Sequence, residues 1–590
     1  MNKLRKSACL VMFYLNMCLA VVNIFAAEFD GVQDDFRFHG ELESMHLRKC
    51  EVERFTSDIN HEIIDLCKQF QFTHDIPLPD RYNYILPEGS VLTSTQSKWI
   101  VYEAERHAQS TMRNIEKRVL ENDEEYLRDP DDFKHRNGWL TNRHKIYATT
   151  DMEVIYVPYL SNYLYNLIYT KIIPLFEERF AAPPNMLGID EAFIVKYDTS
   201  GQRGLVPHTD ASDFSFVLTL NDEFEGGNTF FCNCNTSGAG RPLTSLVEEE
   251  FAEKCIDGQT RAPVAGSIAI FNAQNEHFGA QVVSGTRYIL TGFLGLGGNE
   301  YCSNKFSHRN TDDVQGHKDE LLKECKGLMK AVQDHQVEGK MSQHESHQEY
   351  ILNDPDAVSY AQEIEASARN ACDRIDSPGV LDTYHYVPPE AVLSPMLCNW
   401  LIYEGNRVDD RPAKGAELYT FEEEVDYDKI GELGYWGVGD ADSSPQHLTA
   451  FINRLSYSVI IPLVSKYFGL PSELLGLDRA FLTKHEPGDL MREAHNDASD
   501  CSFIVLLNND FVGGDTYFKG NNCSTSGYKP CLYGLDSDGY ALMSPGKVTI
   551  YCGDNSHYTS EVTAGARYAL SGFLSINSMG YCASLHSAES

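Results

Sequence analysis

The chain repeats itself, and this duplication constrains its fold more than any other feature. The segment LGIDEAFIVKYD (187–198) returns as LGLDRAFLTKHE (475–486). A second segment, HTDASDFSFVLTLNDEFEGGNTFF (208–231), returns as HNDASDCSFIVLLNNDFVGGDTYF (495–518). Self-similarity over such a length is typical of a duplicated structural unit. The sequence therefore predicts two copies of one fold.

Further matches set the limits of the two units. YNYILPEGSVL opens one copy and YHYVPPEAVL the other, and both copies end on Tyr-Cys, at Cys302 and Cys582. We place the first unit at 83–303 and the second at 385–590. The polar segment between them, 304–384, carries apolar residues at helical spacing and predicts a helical linker.

The N-terminus is typical of a targeting segment. A basic start precedes a largely apolar run at 8–27, which indicates a signal peptide within 1–27 or an uncleaved signal anchor. No other long apolar run stands out, so the rest is expected in the lumen of the endoplasmic reticulum or Golgi, or secreted. Fourteen cysteines remain after this segment, an even number that suits an oxidising compartment. Residues 28–82 predict a helical segment that packs on the first unit.

Each unit begins with helical periodicity and continues with short strands. AFIVKY, FSFVLTL, GNTFF, GSIAIF and RYILTGF are β-branched or aromatic runs separated by Gly, Asn and Asp. Such strands predict a mostly β sandwich or jelly roll with an α-helical buttress. The glycine pairs at 226–227 and 513–514 predict turns or bulges, and the matched Trp99 and Trp400 predict core positions.

The repeated His-x-Asp phrase predicts a metal centre. His208 and Asp210 are two residues apart, so on a strand edge their side chains face the same way. His277, just after the strand GSIAIF, supplies a third ligand. Two imidazoles and one carboxylate leave coordination positions open, as in non-haem Fe(II) oxygenases. The second copy repeats the set as His495, Asp497 and His557.

An arginine follows the last histidine of each set by ten residues, at Arg287 and Arg567. A buried guanidinium is costly unless it meets an anion, and its planar fork suits a carboxylate. We therefore expect a dicarboxylate cosubstrate that binds the metal at one end and the arginine at the other.

These residues resemble a known family. PHTDASDFSFVLTLND, EFEGGNTFF and HFGAQVVSGTRYILTGF are similar to the 2-oxoglutarate- and Fe(II)-dependent dioxygenases of the prolyl 4-hydroxylase and procollagen lysyl hydroxylase type. The Asp-Ala-Ser phrase, the Gly-Gly pair and the arginine are closer to the lysyl hydroxylases. The resemblance covers the β core of each unit and not the linker. It implies two tandem double-stranded β-helix (jelly-roll) domains.

The resemblance also implies roles for residues. The two histidine–aspartate–histidine sets would bind Fe(II), and Arg287 and Arg567 would bind 2-oxoglutarate. Tyr197 in IVKYD would help to hold the same cosubstrate, whereas His485 stands in its place in the second copy. O2 and ascorbate, as reductant, complete the implied cofactors. The implied reaction is hydroxylation of Lys or Pro side chains in a protein, collagen-like chains included.

The net charge of the chain indicates which partners it can attract. The formal net charge is −37, which disfavours nucleic acid and favours a basic peptide substrate. A membrane would be contacted only through the N-terminal segment. Asn235 and Asn522 lie in glycosylation sequons. Two alternatives stay open: a silent or half-active binding scaffold, and an oxygenase acting on a small molecule or glycan.

Overall fold

The computed structural model describes most of the two predicted units and part of the segments beside them. The described residues are 49–70, 84–85, 89–120, 135–231, 264–296, 302, 322–334, 347–375, 387–408, 416–422, 446–489, 494–518, 531–532 and 544–589, without 145, 158, 184, 324, 498 and 579. The predicted targeting segment at 1–27 and the sequons at Asn235 and Asn522 lie outside them.

Ten α-helices are described over their whole length, and the described part of 322–334 is helical as well. They are α1 (Lys49–Phe70), α2 (Ser94–Leu120), α3 (Leu160–Leu167), α4 (Ile173–Phe180), α5 (His347–Leu352), α6 (Pro355–Ile375), α7 (Pro395–Val408), α8 (Gln446–Leu455), α9 (Ile461–Phe468) and α10 (Tyr581–Glu589). A π-helical turn joins α3 to α4 at Ile168–Ile172 and α8 to α9 at Ser456–Ile460.

The described strands fall into two series. The first series is β1 (Tyr84–Ile85), β2 (His135–Arg136), β3 (Trp139–Leu140), β4 (Asp151–Glu153), β5 (Leu187–Asp198), β6 (Leu205–His208), β7 (Phe214–Thr219), β8 (Phe224–Gly226), β9 (Thr229–Phe231), β10 (Ile268–Asn272), β11 (His277–Gly279) and β12 (Val282–Leu296). The second is β13 (Ala416–Glu422), β14 (Leu475–His485), β15 (Cys501–Leu506), β16 (Val512–Gly513), β17 (Thr516–Phe518), β18 (Cys531–Leu532), β19 (Val548–Cys552), β20 (His557–Thr559), β21 (Val562–Ala564) and β22 (Arg567–Ile576).

The first series, with α2, α3 and α4, is called the first half. Its larger sheet has the order β1-β10-β7-β12-β5-β4-β3-β2, and β8 also pairs with β12. Every residue of β7 is buried, because this strand lies inside the sheet and both of its faces are covered. A smaller sheet has the order β6-β11-β9 and carries both histidines of the first predicted set.

The second half comprises the second series with α7, α8, α9 and α10. Its larger sheet, β13-β14-β22-β15-β19, keeps the pairing of β5, β12, β7 and β10 in the corresponding strands β14, β22, β15 and β19. Its smaller sheet is β18-β17-β20. The predicted mostly β class with a helical buttress is confirmed, and Trp99 and Trp400 are buried as expected.

The helical buttress joins the halves reciprocally. Helix α3 packs on β14 of the second half, and α8 packs on β5 of the first. The Asn162 side chain in α3 donates hydrogen bonds to the carbonyl oxygens of Leu474 and Ser575, each at 3.0 Å. Arg454 in α8 lies 3.2 Å from the carboxylate of Glu177 in α4. Each half therefore covers part of the other's larger sheet.

Helices α1 and α6 extend this exchange. A disulfide joins Cys67 in α1 to Cys302, and another joins Cys372 in α6 to Cys582, so each helix is linked to the end of one half. Yet α1 packs on α7 of the second half, and α6 packs on α2 of the first. Helix α1 is therefore linked to the first half by its disulfide and packs on the second half, whereas the sequence predicted packing on the first unit.

One internal segment has the length and composition of a membrane span. Leu448–Phe468, which comprises most of α8 and all of α9, has a mean hydropathy of 1.3, and 61% of its most apolar window is buried within the protein. This segment differs from the expectation that no long apolar run lies beyond the N-terminus. The segment is apolar because it packs between the two larger sheets and belongs to the shared core.

Candidate metal centres

Backbone pairing brings the first predicted ligand set together. Strand β6 ends at His208, strand β11 begins at His277, and the two residues lie directly opposite each other in the ladder. Asp210 follows β6 and is fixed by a hydrogen bond of 2.9 Å from its backbone N–H to the carbonyl of Ala273. The strand spacing predicted Asp210 on the strand edge, whereas it lies two residues beyond the end of β6.

The three side chains converge on one point. One ligand atom from each of His208, Asp210 and His277 lies within 4.8 Å of the other two. His208 Nε2 is 3.5 Å from Asp210 Oδ1, and His277 Nε2 is 3.8 Å from Asp210 Oδ2. All three residues are buried. The arrangement presents two nitrogens and a carboxylate to a common centre.

The remaining ring nitrogens fix the histidine tautomers. Nδ1 of His208 lies 2.8 Å from the carbonyl oxygen of Val206, and Nδ1 of His277 lies 2.9 Å from that of Asn275. Because a carbonyl can only accept, each Nδ1 carries the proton and each Nε2 keeps its lone pair. Burial lowers the pKa of His208 to about 4, so this imidazole is neutral at physiological pH. The donor set fits a divalent transition metal ion.

The second set converges in the same way. His495 and His557 exchange backbone hydrogen bonds of 3.0 and 2.9 Å, and their ring centroids are 4.6 Å apart. Asp497 Oδ1 lies 3.9 Å from His495 Nε2 and 3.7 Å from His557 Nε2. Nδ1 of His557 lies 3.0 Å from the carbonyl oxygen of Asn555, so this histidine also directs Nε2 to the centre.

The two centres differ in access. The His495 side chain is 36% exposed, compared with 9% for His208. In the first half Tyr147 lies over His208, with ring centroids 5.1 Å apart. The second centre opens into a cleft that includes Glu486 and Asp489.

A buried arginine accompanies the first centre. Arg287 is 2% exposed, and its Nη2 donates to the Thr229 hydroxyl at 2.9 Å. Among the residues that the structure describes, no carboxylate lies within ion-pair distance of Arg287, and its Nε is buried without a hydrogen-bond partner. Burial lowers its pKa to about 10, which still leaves the guanidinium charged at neutral pH. A buried cation in this state fits an anionic ligand.

The second half repeats this arrangement. Arg567 is 4% exposed and donates to the Thr516 hydroxyl at 3.2 Å. Burial lowers its pKa to about 10 as well, with Asp515 acting in the opposite direction. The strand register places Arg567 opposite His485, just as Arg287 lies opposite Tyr197.

The glycine pairs make room for these arginines. All four glycines at 226–227 and 513–514 have positive φ, a backbone conformation that glycine adopts without steric cost. A Cβ on Gly227 would come within 3.3 Å of Arg287 Cδ, and one on Gly514 within 2.9 Å of Arg567 Cδ. The glycine pair therefore allows both the positive φ angles and the close approach of the arginine stem.

Tyr197 is a buried neighbour of Arg287. The Arg287 Cζ lies 5.7 Å from the Tyr197 ring centroid, and burial raises the pKa of the phenol to about 12. The tyrosine therefore lies beside the arginine, and its predicted contact with a cosubstrate stays a prediction.

Sequence reasoning missed three kinds of residue at these centres. Thr229 and Thr516 follow the glycine pairs at matched positions, which was a usable signal. Tyr551 donates a hydrogen bond to Asp497, and only its replacement of Phe271 in the aligned copies marked it out. Tyr147 lies in a loop whose position no local pattern predicts.

Comparison with known proteins adds a sequence similarity over part of the chain. No protein-family profile matches. Procollagen-lysine,2-oxoglutarate 5-dioxygenase 1 of Rattus norvegicus is 29% identical over 128 residues, which are 21% of this chain and 15% of the relative. The Mus musculus enzyme of the same name is 28% identical over the same length. The match thus spans about 15% of the length of these relatives.

Some solved structures are similar to part of this chain, with low TM-scores over the whole chain. A viral collagen prolyl hydroxylase from Paramecium Bursaria Chlorella virus-1 covers 34% of this chain and 94% of its own, with 15% identity and a TM-score of 0.22. A Pseudomonas putida prolyl-4-hydroxylase covers 34% and 97%, with 15% identity and a TM-score of 0.21.

Proposed function

We propose that this chain is an Fe(II)- and 2-oxoglutarate-dependent dioxygenase that hydroxylates Lys or Pro side chains of proteins in the secretory pathway. The observation that carries the proposal is the buried His208–Asp210–His277 cluster, with the buried guanidinium of Arg287, whose Nε has no hydrogen-bond partner, in the same half. The similarity to procollagen-lysine dioxygenases over 128 residues supports the same chemistry.

The residues of the first half have separate roles in this proposal. His208, Asp210 and His277 would hold Fe(II), which with 2-oxoglutarate and O2 supplies the oxidising power for hydroxylation, with ascorbate as reductant. The carbonyls of Val206 and Asn275 keep the histidine Nε2 atoms unprotonated for the metal. Burial of the cluster excludes bulk water from it.

Arg287 would bind the distal carboxylate of 2-oxoglutarate. Its charge is buried and its Nε is unpaired, so an anion would relieve a desolvation cost that the described residues leave uncompensated. Thr229 orients the guanidinium through Nη2, and Tyr197 packs beside it. Arg567 with Thr516 would act in the same way in the second half, where His485 replaces the tyrosine.

A basic protein substrate fits the charge of the chain. The net charge of −37 attracts cationic segments over a distance, and Glu486 and Asp489 lie at the second cleft. The disulfides Cys67–Cys302 and Cys372–Cys582 suit the oxidising lumen in which secreted proteins are modified. The proposed substrates include collagen-like chains.

Uncoupled decarboxylation of 2-oxoglutarate tests the proposal without knowledge of the substrate. The full chain with Fe(II) and ascorbate should release CO2, and comparison of His208→Ala with His495→Ala should show which centre is responsible. A silent scaffold predicts no CO2 above background in the parent chain, and that result would remove the dioxygenase proposal. Loss of CO2 in only one variant would identify a half-active protein.

A further inference from the structure

Each of the two predicted metal centres has an aromatic side chain at a matched position beside its last histidine. Phe271 in IAIFN and Tyr551 in VTIYC occupy matched positions in β10 and β19. The Phe271 ring lies 4.8 Å from the His277 ring at 63°, and the Tyr551 ring lies 5.0 Å from the His557 ring at 65°. Each aromatic ring thus fixes the last histidine of its set from the same side.

The surrounding packing is also matched. Phe231 meets Phe271 at 4.9 Å and 71°, and Phe518 meets Tyr551 at 4.9 Å and 67°. Phe271 and Tyr551 are both almost fully buried. These two sets of aromatic residues differ by the hydroxyl group of Tyr551. This hydroxyl needs a hydrogen-bond partner because it is buried.

That hydroxyl binds a predicted metal ligand. Tyr551 Oη donates to Asp497 Oδ2 at 2.9 Å and lies 3.4 Å from His557 Nε2. The other oxygen, Asp497 Oδ1, is the one that faces both histidines. In the first centre Asp210 instead turns one oxygen to His208 and the other to His277. The phenol therefore holds one carboxylate oxygen and leaves the second for a metal ion.

We propose that Tyr551 is a positioning residue that fixes Asp497 as a one-oxygen metal ligand and gives the second centre a support that the first lacks. The proposal rests on the metal binding assigned to the triads above. A hydrogen bond to a ligating carboxylate preorganises it before the metal arrives, and loss of such partners typically weakens metal binding about 10- to 100-fold. Phe271 has no group that could act on Asp210 in this way.

Metal titration of chains with a single intact centre tests this role. In the full chain with His208→Ala and His277→Ala, only the second triad remains, and Co(II) serves as a redox-stable probe with a visible spectrum. Adding Tyr551→Phe should raise the Co(II) dissociation constant about 10- to 100-fold and change the Co(II) absorption envelope. Thermal unfolding without metal reports whether the variant keeps its fold.

The converse variant is the matched control. In the full chain with His495→Ala and His557→Ala, Phe271→Tyr should lower the Co(II) dissociation constant of the first centre, and it decides the question if Tyr551→Phe does not fold. A folded Tyr551→Phe chain with an unchanged dissociation constant and spectrum overturns the proposal. If the parent second-centre chain binds no Co(II) at all, the metal site itself fails, which is a distinct result.

Discussion

Tyr169 and Tyr457 stack face to face, with ring centroids 5.0 Å apart and ring planes inclined by only 3°. They occupy the same position in the two copies, in the π-helical turns of the buttress. Each phenol oxygen also accepts a long hydrogen bond from a matched backbone N–H, that of Ile189 or Leu477, at 3.4 Å. A residue that meets its own counterpart marks an approximate twofold axis, as in the isologous interface of a homodimer.

Tyr169→Ala should weaken the joint between the halves. Truncating a buried aromatic side chain to alanine typically costs about 3–5 kcal/mol, and here the stacked partner also loses its contact. Denaturant unfolding of the full chain measures the loss. Tyr169→Phe keeps the stacked ring and removes the phenol oxygen with its long hydrogen bond, so its stability should stay closer to that of the parent than the stability of Tyr169→Ala. Equal losses in both variants would show that the stack itself contributes little.

Removing the Cys67–Cys302 link should destabilise the chain by freeing α1. Replacing both cysteines by serine opens a loop closed over a sequence separation of 235 residues, and loss of a native disulfide typically costs about 2–5 kcal/mol. Unfolding midpoints under oxidising conditions measure the effect. The difference from the parent should shrink after full reduction, when both chains lack the link. A difference that persists in reductant would assign the effect to packing of the serines.

Arg287→Ala should raise the KM for 2-oxoglutarate at the first centre. A lost charge-assisted bond to a carboxylate corresponds to about a 10- to 100-fold increase. The measurement uses a chain with His495→Ala, so that only the first centre turns over. Arg567→Ala in that same background is the control and should leave the KM unchanged. An unaltered KM in Arg287→Ala would remove the anchoring role.

His485→Tyr should improve 2-oxoglutarate binding at the second centre. The variant places a phenol opposite Arg567, as Tyr197 lies opposite Arg287. A phenol hydroxyl that donates a hydrogen bond to the bound carboxylate contributes about 0.5–1.5 kcal/mol, or about a 2- to 13-fold lower KM. A chain with His208→Ala isolates this centre. The reverse change, Tyr197→His with His495→Ala, should raise the KM of the first centre. A KM that does not fall in His485→Tyr, or does not rise in Tyr197→His, would contradict the idea that this position tunes cosubstrate binding.

Local sequence patterns were sufficient to predict the strands and to predict which histidine and aspartate side chains lie together. Gly, Asn and Asp turns punctuate the β-branched runs, and the His208–Asp210 spacing with a histidine after a later strand predicted which side chains meet. The strand register then brings His208 and His277 opposite each other. The repeat helped these predictions because each motif occurs twice in the chain.

The buttress could not be predicted in this way. Whether α1 packs on the first half or on α7 of the second half depends on contacts between residues far apart in sequence. One such contact joins the rings of Phe55 and Trp400, whose centroids are 6.1 Å apart. The pairing of Cys67 with Cys302 has the same origin, because cysteine counts do not fix connectivity. Tyr551 was visible only as a difference between aligned copies, and its hydrogen bond to Asp497 required the fold.

The reciprocal buttress has an evolutionary consequence. Two identical subunits around a twofold axis share one gene, so any substitution enters both sites together. Once both halves lie in one chain, each position is inherited separately, and a change can enter one site while the other keeps its residue. Tyr197 against His485 and Phe271 against Tyr551 are differences of this kind. A single chain with this reciprocal packing can therefore hold two centres that differ from each other, which no pair of identical subunits can encode.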